Sequence, residues 1–379
     1  MIIVVMLLGG LAVYLLLENI YRKMWNRGLE VNIDFSRKHV WAGETAELVQ
    51  IVTNRKWLPL SYINVKFQID KSLIFDDGTQ NSFVSDKTYR NDIFSLLMYQ
   101  KATRTLSVLC TKRGIYTISD MQVVSTGMFM KDVLVMVTPS NAQIVVYPKK
   151  LDTGSINVAF RKLMGMVENN SHMYEDPFAF RGIREYTEYD SLNSINWKAF
   201  ARTGNLMVNE YNETVCQEVC ILLNVEPEGM LIREELSETS ISIASGLAEM
   251  LIEKGIVVSL ISNGVNTFSK EPVIVYGASG FSHINTINTS LAGIELRQGQ
   301  PDFKDILSQY VPKVSNNNVI YCMISQNRRA DLQKSFSQYI NDSSGCMWIA
   351  PCFKGEEAEL EYSDLQYYQW EVKHHAKQF

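Results

Sequence analysis

The chain has 379 residues, 46% of them hydrophobic and 20% charged, an ordinary globular composition with enough length for two or three domains. Its formal net charge of -5 offers no basic field for phosphates, which argues against nucleic acid as a partner. Six cysteines (Cys110, Cys216, Cys220, Cys322, Cys346, Cys352) are scattered in or beside apolar runs; only Cys216 and Cys220 are close, with no second pair or histidine cluster to complete a zinc site, so they read as buried thiols.

Residues 1–28 are expected to form a transmembrane anchor with a basic flank. The opening run MIIVVMLLGGLAVYLLL carries no charged side chain and reaches the short end of the roughly 17 to 25 residues that cross a bilayer core. It lacks the basic start and small-residue cleavage site of a signal peptide, so it reads as an uncleaved anchor. Arg22, Lys23 and Arg27 follow directly, and the positive-inside rule then places the bulk of the chain in the cytoplasm. Tyr21 and Trp25 suit an interfacial aromatic belt.

Residues 29–150 read as an antiparallel β-sandwich. GLEVNIDFS, AELVQIVTN, YINVKFQI, RTLSVLC, GIYTISDMQVVS and AQIVVYP are short strand-like runs separated by turn residues, and Val31, Ile33 and Phe35 alternate as on a half-buried strand. The stretch DIFSLLMYQK fits helix or strand equally well. Residues 151–217 read as a linker with one short helix, a polar loop and a dense charged and aromatic segment, FRGIREYTEYDSLNSINWKAFARTGNLMVNEYNETV. From 218 to 379, strands alternate with helices: EVCILLNV, a helix near Glu234 to Lys254, IVVSLIS, helices at Phe281–Ala292, Phe303–Tyr310 and Arg328–Ile340, and strands NVIYCMIS and CMWIAP. That grammar predicts an α/β domain with a mostly parallel sheet.

The combination FRGIREY, Asp190, INWKAFAR and LMV, with VWAGETAELVQIVTNRKWLPL, CTKRGIYTI and IVVYP upstream, resembles the bacterial domain-of-unknown-function family 58, whose C-terminal part is von Willebrand factor A-like. The resemblance extends over nearly the whole chain. It implies a membrane-tethered protein associated with a MoxR-type AAA+ ATPase in assembly or activation of other proteins, and it brings no catalytic residues. Glu188 and Tyr189 depart from the family, standing where Pro-Gly usually precedes the Asp.

Von Willebrand A domains often hold Mg²⁺ through Asp-x-Ser-x-Ser after the first strand and an Asp from a later loop. Here the first loop supplies Asn224, Glu226 and Glu228, and Gln326 stands at the later position. Loss of the first carboxylate is serious for a hard cation, so a degenerate metal site with no cofactor is expected. The charged segment contains no His or Cys, and the sequence has no G-x-S-x-G elbow, P-loop or H-E-x-x-H. His172, His283, His374 and His375 read as polar contacts or solvated side chains, and no enzyme activity is expected.

The segment Arg181, Gly182, Arg184, Tyr186, Asp190, Trp197, Lys198 and Arg202 is therefore read as a structural and docking motif. Its arginines would grip Glu185, Asp190 or Glu210 around a buried Trp197, with the outer face open to a partner. Two alternatives of different class stand beside the adaptor reading: an enzyme with a site near His172 and the motif acids, and an extracytoplasmic envelope or adhesion protein.

Overall fold

A computed structural model of the chain describes residues 2–75, 82–84, 87–127, 132–171, 180–187, 195–211, 218–229, 233–296, 299–314, 319–338, 345–356 and 366–372. The chain divides into two compact units, Met1–Lys149 and Lys150–Phe379.

The first unit opens with helix α1, Ile2–Met24. Its apolar residues point all round rather than to one face, and none of its most apolar stretch is buried. The helix is thus long and apolar enough to cross a membrane. Its C-terminal end behaves differently: Tyr21 and Trp25 are buried in the core of the β unit. Arg22 pairs with Asp132. The buried Lys56 ammonium caps the helix end, donating to the Trp25 carbonyl oxygen and, at 2.9 Å, to that of Arg27. A cation suits the orphan carbonyls of a helix C-terminus, while burial pulls the Lys56 pKa down to about 8.

Among the described residues ten strands follow: β1 Leu29–Phe35, β2 His39–Trp41, β3 Thr45–Asn54, β4 Leu60–Asp70, β5 Leu73–Phe75, β6 Ser82–Val84, β7 Lys87–Leu96, β8 Lys101–Cys110, β9 Gly114–Thr126 and β10 Val133–Tyr147. Among the described residues they form two sheets, β1-β3-β8-β5 and β2-β10-β9-β4-β7-β6, antiparallel apart from the short β2–β10 pair. Alternating residues such as Val31, Ile33 and Phe35 fill one shared core. This is the expected β-sandwich.

The ambiguous DIFSLLMYQK stretch is the second half of β7 and the turn after it. Its alternation is masked in the sequence because the inward face of β7 carries Arg90 and Asp92, 1% and 0% exposed. Asp92 Oδ2 accepts from Arg90 Nε at 2.8 Å and from Gln50 Nε2 at 2.7 Å, and Oδ1 accepts from Arg104 Nη1 at 3.0 Å. The Arg90 and Arg104 guanidiniums stand 4.5 Å over the rings of Phe75 and Phe94 respectively.

The second unit comprises α2 Thr153–Ser171, β11 Phe180–Glu185, α3 Trp197–Thr203, β12 Met207–Tyr211, β13 Glu218–Asn224, α4 Glu234–Glu253, β14 Val257–Asn266, β15 Pro272–Ala278, α5 Phe281–Ala292, β16 Ile294–Glu295, α6 Phe303–Val314, β17 Val319–Ser325, α7 Ala330–Ser337, β18 Gly345–Phe353 and β19 Gln366–Val372. Its main sheet runs β15-β14-β13-β17-β18-β19, with β16 beside β14. The pairs from β14 to β19 are parallel, while β15 and β16 pair antiparallel with β14.

The central strands are buried on both faces, as a covered parallel sheet requires. Val219, Ile221 and Leu223 of β13 face the core shared with α2, α4 and α5; Cys220 and Leu222 face that of α6 and α7. Helix α2, which the sequence places in a linker, contributes Ile156, Ala159, Phe160 and Leu163 to this sheet's core. Helix α7 is shorter than the expected 328–340 span, starting at Ala330 after an extended Arg329.

Asp92→Ala removes the carboxylate that two guanidiniums share at the sandwich core. It is expected to destabilise the first unit by about 3–5 kcal/mol, against a smaller loss for Asp92→Asn, read from urea unfolding with hydrogen exchange at β3, β7 and β8 amides.

Candidate functional site

Two places in the second unit gather polar residues that could carry function. The first is the crevice at the C-terminal ends of β13 and β17. The connections on either side of this pair lead to opposite faces of the sheet, which makes it the topological switch point where open α/β sheets bind ligands.

Asn224 ends β13 opposite Ser325, which ends β17. The fully buried Asn224 amide donates from Nδ2 to Ser325 Oγ at 3.1 Å. Its Oδ1 accepts from the Glu226 N–H at 2.9 Å and from Asn263 Nδ2 at 3.0 Å. Asn263 Oδ1 accepts from the Val225 N–H, and Ser325 Oγ donates to the Asn327 carbonyl oxygen and accepts from the Asn327 N–H. Gln326 Nε2 donates to Ser237 Oγ at 2.8 Å. A neutral amide network therefore closes the floor of the crevice.

Charge is held at the rim. Glu226 Oε1 lies 2.8 Å from Arg329 Nη2, Glu228 Oε2 lies 3.1 Å from Arg328 Nη2, and Lys304 Nζ lies 2.8 Å from Asp331 Oδ2. Burial raises the pKa of Glu226, whose Oε2 is enclosed without a hydrogen-bond partner; Arg329 opposes the shift and Asp302 and Asp331 add to it.

These residues do not fit a hard divalent cation. Both acceptor sites of Asn224 Oδ1 are occupied by N–H donors, and the carboxylates at 226 and 228 face guanidiniums that supply the positive charge. Sequence reasoning singles out Asn224, Glu226, Glu228 and Gln326, and the structure does bring them to one crevice. It misses Asn263, Ser325, Arg328 and Arg329. The Arg-Arg pair directly after Gln326 and Asn327 is the available signal.

The second place is the charged motif. Here β11 and β12 form a two-stranded antiparallel ribbon, and Ile195 bridges to Val208. Arg181 and Gly182 lie on β11, and Tyr186 follows it, its N–H donating to the Leu206 carbonyl oxygen at 3.0 Å. Arg184 is exposed and donates from Nη1 to the Glu185 carbonyl oxygen at 3.2 Å. The side chain of Arg181, and Asp190, Glu188, Tyr189, His172, His374, His375 and Cys216, lie outside the described residues.

Trp197 corrects the sequence reading: it is 64% exposed, not buried. Helix α3 has seven residues and none of them is buried; the buried apolar side chains beside it are the bridging Ile195 and Val208, 6% and 3% exposed. Trp197 instead meets Phe200 edge-on at 6.2 Å, with Lys198 and Arg202 exposed beside them. The helix is fixed at both ends: Asn196 Oδ1 accepts from the Ala199 N–H at 2.9 Å, and Gly204, at φ 75°, donates its N–H to the Phe200 carbonyl oxygen. His283, by contrast, is a satisfied core group, its Nε2 2.7 Å from the Val258 carbonyl oxygen.

No family model and no curated protein matches the chain. Solved structures similar to part of it include a CARDB domain from Pyrococcus furiosus, 17% identical over 30% of this chain and 94% of that one at a TM-score of 0.19. A non-cellulosomal cohesin from Archaeoglobus fulgidus is 14% identical over 31% of this chain and 91% of that one, with a TM-score of 0.22. Domains of the major pilin SpaD from Corynebacterium diphtheriae are 13% identical over 29% of this chain and 50% of that one, also with a TM-score of 0.22. The sandwich assignment rests on the strand pairing itself.

Asn224→Ala is expected to cost the second unit about 1–3 kcal/mol, since it leaves the Glu226 N–H without its acceptor in a buried turn; urea unfolding at neutral pH checks it. For Glu226 the native pKa lies above the unfolded one. Its contribution is full below the unfolded value of about 4.3 and is lost as pH rises through the raised native pKa. Glu226→Gln should flatten that limb of the stability profile, measured by unfolding between pH 4 and pH 7.

Proposed function

We propose that this chain is a membrane-anchored, cytoplasm-facing adaptor of the family 58 type. Its α/β unit is von Willebrand factor A-like with a degenerate metal site, and it assists a MoxR-type AAA+ ATPase in the assembly or activation of other proteins. The strand order of the α/β sheet, with its antiparallel edge strand beside five parallel ones, supports the A-like reading. The amide-filled crevice supports recognition by surface contact in place of chemistry or cation coordination.

The observation that carries the proposal is the exposure of Trp197. A tryptophan held 64% exposed on a capped helix, flanked by Phe200, Lys198 and Arg202, has the composition of an interface hot spot. Such a residue on a locally fixed frame loses little entropy on docking.

The test is co-purification from native membranes with the full-length chain as bait, followed by quantification of any AAA+ ATPase recovered. Trp197→Ala is expected to weaken the complex by about 30-fold, the equivalent of roughly 2 kcal/mol at a hot spot, while its thermal unfolding stays within about 0.5 kcal/mol of the parent. Recovery of the ATPase unchanged by the substitution would remove α3 as the docking surface, and its absence from both samples would remove the adaptor reading.

A further inference from the structure

The end of the sandwich from which α1 departs is defined by strand register. Leu29 pairs with Asn54, Thr53 with Lys101, Leu60 with Leu96, Ile63 with Ser125 and Thr126 with Val133. The β3–β4 loop, the β7–β8 turn and the start of β10 therefore all lie at the same end as the exit of α1. Hydrogen bonds tie them to one another and to the helix. Lys56 donates to the carbonyl oxygens of Trp25 and Arg27, the Tyr99 N–H donates to the Lys56 carbonyl oxygen at 3.1 Å, and Asp132 pairs with Arg22.

This end is unusual for what it exposes. Trp57 is 54% exposed, Leu97 66%, Met98 59%, Tyr99 71% and Val133 70%. The turn that displays three of them holds Tyr99 at φ 56°, in the left-handed region where turns favour Gly or Asn. It is nonetheless pinned: the Leu97 N–H donates to Gln100 Oε1 at 2.7 Å, and the Asn54 N–H donates to the Gln100 carbonyl oxygen at 2.8 Å. At the opposite end of the sandwich the described turns and strand ends expose charged groups of both signs: Arg37, Lys38, Lys71 and Lys112 beside Asp34, Glu44 and Asp70. The exposed tips described in this unit are thus apolar and aromatic where α1 leaves and charged, with both signs present, where it does not.

We infer that the α1 end of the sandwich is a second membrane-contact surface, in which Trp57, Leu97, Met98, Tyr99 and Val133 seat in the headgroup and acyl boundary of an anionic phospholipid bilayer. This rests on the reading of α1 as a membrane anchor. The occupant is set by continuity and by charge. An anchor that leaves the sandwich at this end brings the bilayer to it, Trp and Tyr favour the interfacial layer, and exposed Lys23, Arg27 and Lys101 stand around the rim to meet anionic headgroups. The hydrogen bonds from Lys56 to the helix end fix the rim relative to α1. The β unit is then held in one orientation on the membrane by helix and loops together.

The experiment uses the full chain in phosphatidylcholine:phosphatidylglycerol nanodiscs, with an environment-sensitive fluorophore on a single introduced thiol in a Cys216→Ser background. Labels are placed by Met98→Cys at the rim, Lys112→Cys at the far end and Val13→Cys in α1, and doxyl lipids serve as quenchers. Emission at 98 is expected to fall at least twofold with a shallow quencher while that at 112 is unchanged. In a second measurement on the unlabelled chain, brominated lipid should quench a component of the intrinsic emission that Trp57→Phe removes. If 98 behaves like 112 while 13 is quenched by deep quenchers, α1 spans the bilayer and the rim does not touch it, which overturns this inference alone. If 13 is not quenched, the anchor reading fails and the inference falls with it.

Discussion

Every polar group that ends a strand at a topological switch point needs a partner, and at the junction of β13 and β17 a single amide meets that need. Asn224 is fully buried at the end of β13, where it donates to Ser325 on β17 and accepts from Asn263 on β14 and from the Glu226 N–H. A carboxylate there would be acceptor-only and charged, and a fully buried anion requires a cation or a proton. The amide removes that requirement. Charge is displaced outward to Glu226 and Glu228, where arginines from the loop after β17 answer it. The junction of β13 and β17 is in this way closed by amides, with its charged groups held in ion pairs at the rim.

The β unit solves its own burial problem with ions. Asp92 on β7 belongs to one sheet, while Gln50 on β3 and Arg104 on β8 belong to the other, so their hydrogen bonds to one carboxylate fix how the two sheets align. Apolar packing alone specifies that alignment less strictly than a carboxylate with directional donors does. Lys56 performs the comparable task at the helix end. There a buried ammonium both satisfies carbonyls at the end of α1 and ties the β3–β4 loop to them. With Tyr21 and Trp25 in the sandwich core beside it, α1 continues into that core.

Much of this architecture was legible in the sequence, and where it was not, the reasons are related. Period-two alternation in β1 and the continuous apolar runs of β13 and β17 declare themselves because their inward faces are hydrocarbon. β7 does not, because Arg90 and Asp92 occupy inward positions, and a polar residue at a buried site erases the pattern from which burial is inferred. β15 and β19, the edge strands, likewise carry mixed surfaces. Helix α2 reads as part of a linker because polar and small residues dilute its apolar ones, although one face of it is core. At the crevice, the amide at position 224 is visible in the sequence. Its partners are not, since Asn263 and Arg329 approach Asn224 and Glu226 only through the fold.

Trp197 departs from expectation for a different physical reason. Large aromatic residues are read as buried because burial usually repays them, but that inference presumes a core within reach. Beside α3 that burial is taken by the bridging Ile195 and Val208, and Trp197 and Phe200 on α3, with Ile183 on β11, remain outside. What the ribbon does provide is order. The Asn196 cap, the left-handed Gly204 and the Ile195–Val208 bridge hold the exposed rings in one arrangement without burying them. A tryptophan side chain can bury about 150–250 Å² against a partner, and when its frame is already fixed most of that gain survives the entropy of association. Rigid exposure of this kind is the arrangement on which the proposed docking role of α3 rests.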